Sequence, residues 1–192
     1  MDIYGAWPMK FGLFPRKRSR WLLFCYLFFT VHTFPSVFLF RLQTFFYDSG
    51  FPPIATTLSR INHVLYGVTI GNHVRTTGGL IIAHGHVVLD GWTRLGDNVQ
   101  INPFVTLGIT NSERKPFELW GPTIGDFVNI GTGAKILGPV NIGDNVKIGA
   151  NAVVIDDIPA NHTAVGAPAR SFPTQRAGNR FEDGPQLPAE TA

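Results

Sequence analysis

Two histidines, His84 and His86, sit two residues apart in the stretch AHGHVVLDG, residues 83–91. Imidazole ordinarily titrates near about pH 6.5, so at neutral pH it can take a proton from a hydroxyl and later return it. Two imidazoles at this spacing on an extended strand could instead share a metal ion. No carboxylate or thiolate stands at a supporting spacing, so no metal site is expected.

The same stretch is where a longer rhythm slips. From residue 70 onward an aliphatic residue recurs every six positions: Ile70, Ile82, then Leu89, Leu95, Ile101, Leu107, then Ile124, Ile130, Ile136, Ile142, Ile148 and Val154, with Thr76 as the one miss. Four residues after the aliphatic comes a small or β-branched residue, as at Val74, Val99, Val105, Val128, Ala134, Val140, Val146 and Ala152. A period of six fits neither the 3.6-residue helix nor plain strand alternation. It fits short strands joined by tight turns and stacked as a solenoid. The rhythm breaks twice: one extra residue enters between Ile82 and Leu89, and eleven enter between Leu107 and Ile124. Chemistry in a regular coil tends to sit at such breaks, where a bulge or loop re-aims a side chain. With the first and fifth positions of each hexad facing the core, His84 in third place should point outward. His86 in fifth place should point inward or lie in the bulge; its alternative reading is a buried histidine bonded to a turn carbonyl.

The chain has 192 residues, enough for one domain with additions at its ends, and 44% hydrophobic residues, ample for a core. The net charge is only +3, and no nucleic-acid module accompanies the basic knot Arg16, Lys17, Arg18, Arg20. That knot adjoins the apolar run WLLFCYLFFTVHTFPSVFLF, residues 21–40, where it reads as attraction to anionic headgroups. Twenty residues in a helix reach about 30 Å, a bilayer's hydrocarbon thickness. Pro35 and His32 argue for a kinked or re-entrant segment, and packing of an aromatic-rich helix on its own domain is the competing reading. A secretory signal lacks its cleavage site. The single cysteine, Cys25, excludes a disulfide framework.

The segment IGTGAKILGPVNIGDNVKIGANAVVIDDIPANHTAVGAPAR closely resembles the C-terminal half of hexapeptide-repeat acyltransferases, particularly serine acetyltransferase and its relatives acting on sugars. The resemblance covers about residues 67–170. It implies a mainly β chain: a left-handed parallel β-helix of hexapeptide repeats, here with an N-terminal hydrophobic helical region, usually assembled as a homotrimer. The expected organisation is a membrane-associated helical region at 1–46, a linker and short helix at 47–69, the β-helix at 70–158, a cap at 159–170 and a flexible tail at 171–192. The N-terminal helix and the C-terminal cap are candidates to cover the free edges of the coil.

The resemblance further implies transfer of an acetyl group from acetyl-CoA to a hydroxyl. His84 aligns with the family's catalytic histidine and is the expected general base. His86 and Asp90 are candidates to assist it. Thr132 and Ala150, one coil apart, are expected to line the groove for pantetheine, and Arg170 to meet a phosphate of CoA. The chain departs from serine acetyltransferases at Thr69, where they carry an aspartate, at Gly121, near which they carry a second histidine, and at Asn102, a histidine in many related enzymes. These departures weigh against L-serine, and the apolar N-terminal segment points to a small or lipid-linked hydroxyl acceptor, a sugar or polysaccharide precursor, handled at the cytoplasmic face of the membrane. L-serine as acceptor in the cytoplasm, and a non-catalytic trimeric scaffold, are the alternatives. The loop 109–122, with Glu113, Arg114, Lys115 and Trp120, either encloses CoA at a neighbouring site or is a solvated insertion.

Overall fold

The structure is a computed structural model, which describes residues 26, 28–31, 33–109 and 120–174. The basic knot, Cys25, His32, the loop residues Glu113 to Lys115 and the tail from 175 lie outside the described residues.

Two helices lead into the solenoid. Helix α1 (Phe34–Asp48) starts with Pro35 in its first turn, where a missing N–H costs nothing. Helix α2 (Pro52–Tyr66) again carries Pro in its first turn and ends on Gly67 in the left-handed region, whose N–H bonds back to the His63 carbonyl. The apolar run 21–40 is therefore divided: its last seven residues belong to α1, and Phe40 is packed into the core. Among the described residues no helix is long and apolar enough to cross a membrane.

The first coil consists of β1 (Val68–Ile70), β2 (Arg75–Gly78) and β3 (Ile81–Ile82); the second of β4 (Val87–Leu89), β5 (Arg94–Asp97) and β6 (Gln100–Ile101). The third holds β7 (Thr106–Gly108), β8 (Thr123–Ile124) and β9 (Asn129–Ile130); the fourth β10 (Lys135–Leu137), β11 (Asn141–Ile142) and β12 (Lys147–Ile148). The fifth begins with β13 (Val153–Val154), bridges through Ile158 to Ile142, and closes with β14 (His162–Val165). Successive coils pair in parallel, forming three sheets on a parallel β-helix: β1-β4-β7-β10-β13, β2-β5-β8-β11 and β3-β6-β9-β12-β14. Strand β15 (Arg170–Pro173) folds back antiparallel on β14, so residues 171–173, expected in the tail, are strand.

The aliphatic rungs are the core. Ile70, Ile82, Leu89, Leu95, Ile101, Leu107, Ile124, Ile130, Ile136, Ile142, Ile148 and Val154 are all buried, as are the small and β-branched residues four positions on. Burial of each large aliphatic side chain contributes about 1.5–3 kcal/mol.

The open edge of the first coil is capped by α1. Residues 70, 76 and 82 turn their carbonyls away from the second coil, and each meets a side chain from α1 or the residue before it. Gln43 Nε2 donates to Ile70 O at 2.8 Å, Arg41 Nη1 to Thr76 O at 3.3 Å, and the Thr33 hydroxyl to Ile82 O. Burial lowers the Arg41 pKa and Asp97 raises it; an arginine still stays charged. The polar edge is thus satisfied without another strand.

Candidate active site

The one-residue slip is a bulge at the corner between the third and first sheets. Before it, Ala83 N–H bonds to Ile101 O at 2.9 Å; after it, Phe104 N–H bonds to His86 O at 2.8 Å. His84 and Gly85 therefore stand opposite Pro103 alone, two residues against one. His84 is exposed, as its hexad position predicts, and among the described residues its ring has no hydrogen-bond partner in the chain. The backbone N–H groups of His84 and Gly85 likewise donate to no group of the chain among the described residues. An outward imidazole beside free peptide N–H groups can remove a proton and steady a developing oxyanion.

His86 is not buried. The extra residue moves Val87 into the inward position, fully enclosed, and leaves His86 exposed. Its backbone is left-handed, φ 63°, and its ring lies parallel to Phe104, centroids 5.3 Å apart and planes within 9°. Gly67 makes room for it: a Cβ there would come within 2.9 Å of His86 Nδ1. The equivalent corner of every coil is left-handed, at Gly67, His86, Phe104, Gly133 and Asn151. Gly and Asn suit that conformation, whereas a bulky side chain in it costs about 1–2 kcal/mol. The stacked pair offsets about 0.5–1.5 kcal/mol of this.

Asp90 does not reach His84 within one chain. Strand β4 separates them and places Asp90 at the next corner, where its Oδ1 accepts the Gly91 N–H at 2.7 Å and its backbone carbonyl accepts the Thr93 hydroxyl. A strand cannot bring its two ends together.

Two polar residues outside the candidate set have defined partners. Asn102 follows the Ala83 rung and donates Nδ2 to Ile130 O at 2.8 Å. Thr69 on β1 holds its hydroxyl 2.9 Å from His63 Nδ1. Phe104 carried no polar signal, and its unsuitability for a left-handed turn emerges only once the register is known.

Thr132 and Ala150 occupy the same corner as the bulge, exposed, on the fourth and fifth coils; Asn151 N–H bonds to Thr132 O at 2.8 Å, fixing the register. Coils stack at about 4.8 Å, so His84 and Thr132 are about two rungs apart. Arg170 is exposed on β15 and lines a shallow hollow with Asp156 and Asp157, two carboxylates that oppose its charge. His162 bonds through Nδ1 to Ala160 O at 2.9 Å, a structural contact. His73 stacks on Trp92, which meets Trp120 at the end of the long insertion, all at the corner away from His84. Among the described residues no cluster of three or more His, Cys, Asp or Glu could hold a metal ion.

Residues 121–156 match the bacterial transferase hexapeptide family model of six repeats. Over 163 residues the chain is 37% identical to a serine acetyltransferase of Helicobacter pylori, covering 84% of this chain and 91% of that protein. The chain belongs to the serine acetyltransferase family. It is therefore an acyltransferase with acetyl-CoA as its co-substrate. Among solved family structures, the soybean serine acetyltransferase apoenzyme superposes with a TM-score of 0.71 at 32% identity, covering 77% of this chain and 60% of that one. A serine acetyltransferase in complex with CoA gives 0.65 at 29% identity, covering 71% and 55%. The chain thus spans little more than half the length of these solved family members.

Proposed function

We propose that this family member transfers the acetyl group of acetyl-CoA to the hydroxyl of L-serine, with His84 as general base. The supporting observation is an exposed, unpartnered imidazole at the bulge of a chain so similar to the H. pylori serine acetyltransferase. The soybean relative has also been solved complexed with serine. His84 takes the hydroxyl proton as the oxygen attacks the thioester carbonyl. The tetrahedral oxyanion is met by free N–H groups of the bulge. Its collapse breaks the C–S bond, and the departing CoA sulfur recovers the proton from His84. Removing one such oxyanion donor typically costs about 3–4 kcal/mol. Thr132 and Ala150 would line the pantetheine path and Arg170 meet a phosphate, within a homotrimer.

A second reading, a sugar or lipid-linked hydroxyl acceptor at a membrane surface, has its own support. Thr69 with His63 replaces the expected carboxylate, and Gly121 the expected histidine. The helices and the turn between them also leave Phe45, Phe51, Val64 and Leu65 more than half exposed, apolar side chains that a bilayer surface would cover. Incubation with labelled acetyl-CoA and either L-serine or separated soluble and membrane extracts distinguishes the two. Label in O-acetylserine supports the first, label in the lipid fraction the second. Absence of transfer, with no thermal shift at millimolar acetyl-CoA, would leave a scaffold.

A further inference from the structure

We propose that the stacked His86–Phe104 pair is the wall that holds the thioester end of the acyl donor beside His84, an assignment that rests on the acetyl-CoA reading above. Four observations converge on the pair. Both residues adopt a left-handed backbone, φ 63° at each, where the next coils of the same corner use Gly133 and Asn151. Both are exposed, Phe104 by 57%, so their rings are not there to fill the core. Their rings are parallel at 5.3 Å. And they flank the bulge that presents His84. A strained, outward aromatic pair at the edge of a reactive group is an outlier of the kind that clusters at ligand clamps.

The direction of approach selects the donor. On its N-terminal side the corner is closed: the Tyr66 carbonyl stands over Gly85, and Gly67 lies against the His86 ring. On its C-terminal side the corner continues past Thr132 and Ala150, interleaved with Gly131, Gly133 and Gly149, which carry no side chains. A long, thin ligand therefore reaches His84 from the C-terminal coils and crosses the third coil last. The large side chain standing out on that coil, at that corner, is Phe104. An acyl thioester attached to an extended amide-containing arm has the required shape, with an apolar end to lie on a phenyl face.

Phe127 supplies an internal control. It has φ 56° and is 58% exposed, yet stands at a different corner, in line with Gly79, Asn98 and Asn145. Phe104→Asn and Phe127→Asn, made in the full chain, should both fold, because Asn tolerates the left-handed region, and both should raise the melting temperature. Phe104→Asn should weaken acetyl-CoA binding by calorimetry, and raise its KM, about tenfold while leaving the acceptor KM unchanged. His86→Asn should act in the same direction, and Phe127→Asn should change neither constant. Donor affinity within twofold of wild type in Phe104→Asn, or an equal loss in Phe127→Asn, overturns the wall and leaves the function standing. A wild-type chain that neither binds nor turns over acetyl-CoA overturns both.

Discussion

The carbonyl oxygen of Tyr66 lies 2.0 Å from where a side chain at Gly85 would begin. The last residue of α2 thus presses on the glycine beside His84, and the helix end sets how far the bulge can rise. Gly85→Ala brings a methyl group against backbone that has no flexible end to give way. The variant should lose stability by about 1–3 kcal/mol, as overpacked sites do, and should lose activity out of proportion because His84 moves with the bulge. Denaturant titration and kcat on the same preparation check both. An active, fully stable Gly85→Ala chain would show that the helix end does not position the histidine.

His84→Ala removes an exposed ring with no partner in the chain among the described residues, so its stability should stay within about 0.5 kcal/mol of wild type. Loss of a general base lowers the rate by about 10²–10⁴-fold. Acetyl-CoA binding, read as a thermal shift, should survive. Near-full turnover by a folded His84→Ala chain would remove the imidazole from the mechanism.

Thr33 donates its hydroxyl to the carbonyl of Ile82 at the helix-capped edge of the first coil, and both are buried. Thr33→Val keeps the volume and deletes the donor. Leaving a buried carbonyl unpaired costs about 1–3 kcal/mol. Chemical denaturation measures the loss, and hydrogen exchange should localise it to β3 and α1. No change in either would mean that the edge is not held by this hydroxyl.

Ile136 is fully buried in the fourth coil, between Leu107 and Val154 on the same sheet. Ile136→Ala should cost about 2–5 kcal/mol through the cavity it leaves. In a solenoid each coil touches only its neighbours, so amide protection should fall first in β7, β10 and β13 and last in β1. Uniform loss of protection along the chain would contradict that local coupling.

Much of this molecule is legible in its residues. The six-residue rhythm named the buried positions from Ile70 to Val154, because a rung can bury one large aliphatic only at a repeating place. The slip at Ile82–Leu89 marked where the coil bulges and His84 faces out. Its detail was not legible. Counting places His86 either inward or in the bulge and cannot tell which residue absorbs an extra one; Val87 takes the inward place because it is the apolar one. Spacing along the chain cannot place Asp90 beside His84, and it lies a corner away, since β4 is extended between them. Thr69 and His63 carry no shared motif and meet because α2 packs its last turn on β1.

The sequence by itself thus determined the coil and the outward imidazole, consequences of local periodicity and side-chain polarity, while the family came from likeness to known relatives. The tertiary structure decided what surrounds that imidazole: the helix end over Gly85, the capped edge, and the His86–Phe104 stack. Those depend on register between coils, where residues 18, 19 or 29 apart become neighbours, and spacing along a chain does not specify which of these offsets applies until the coils are laid on one another.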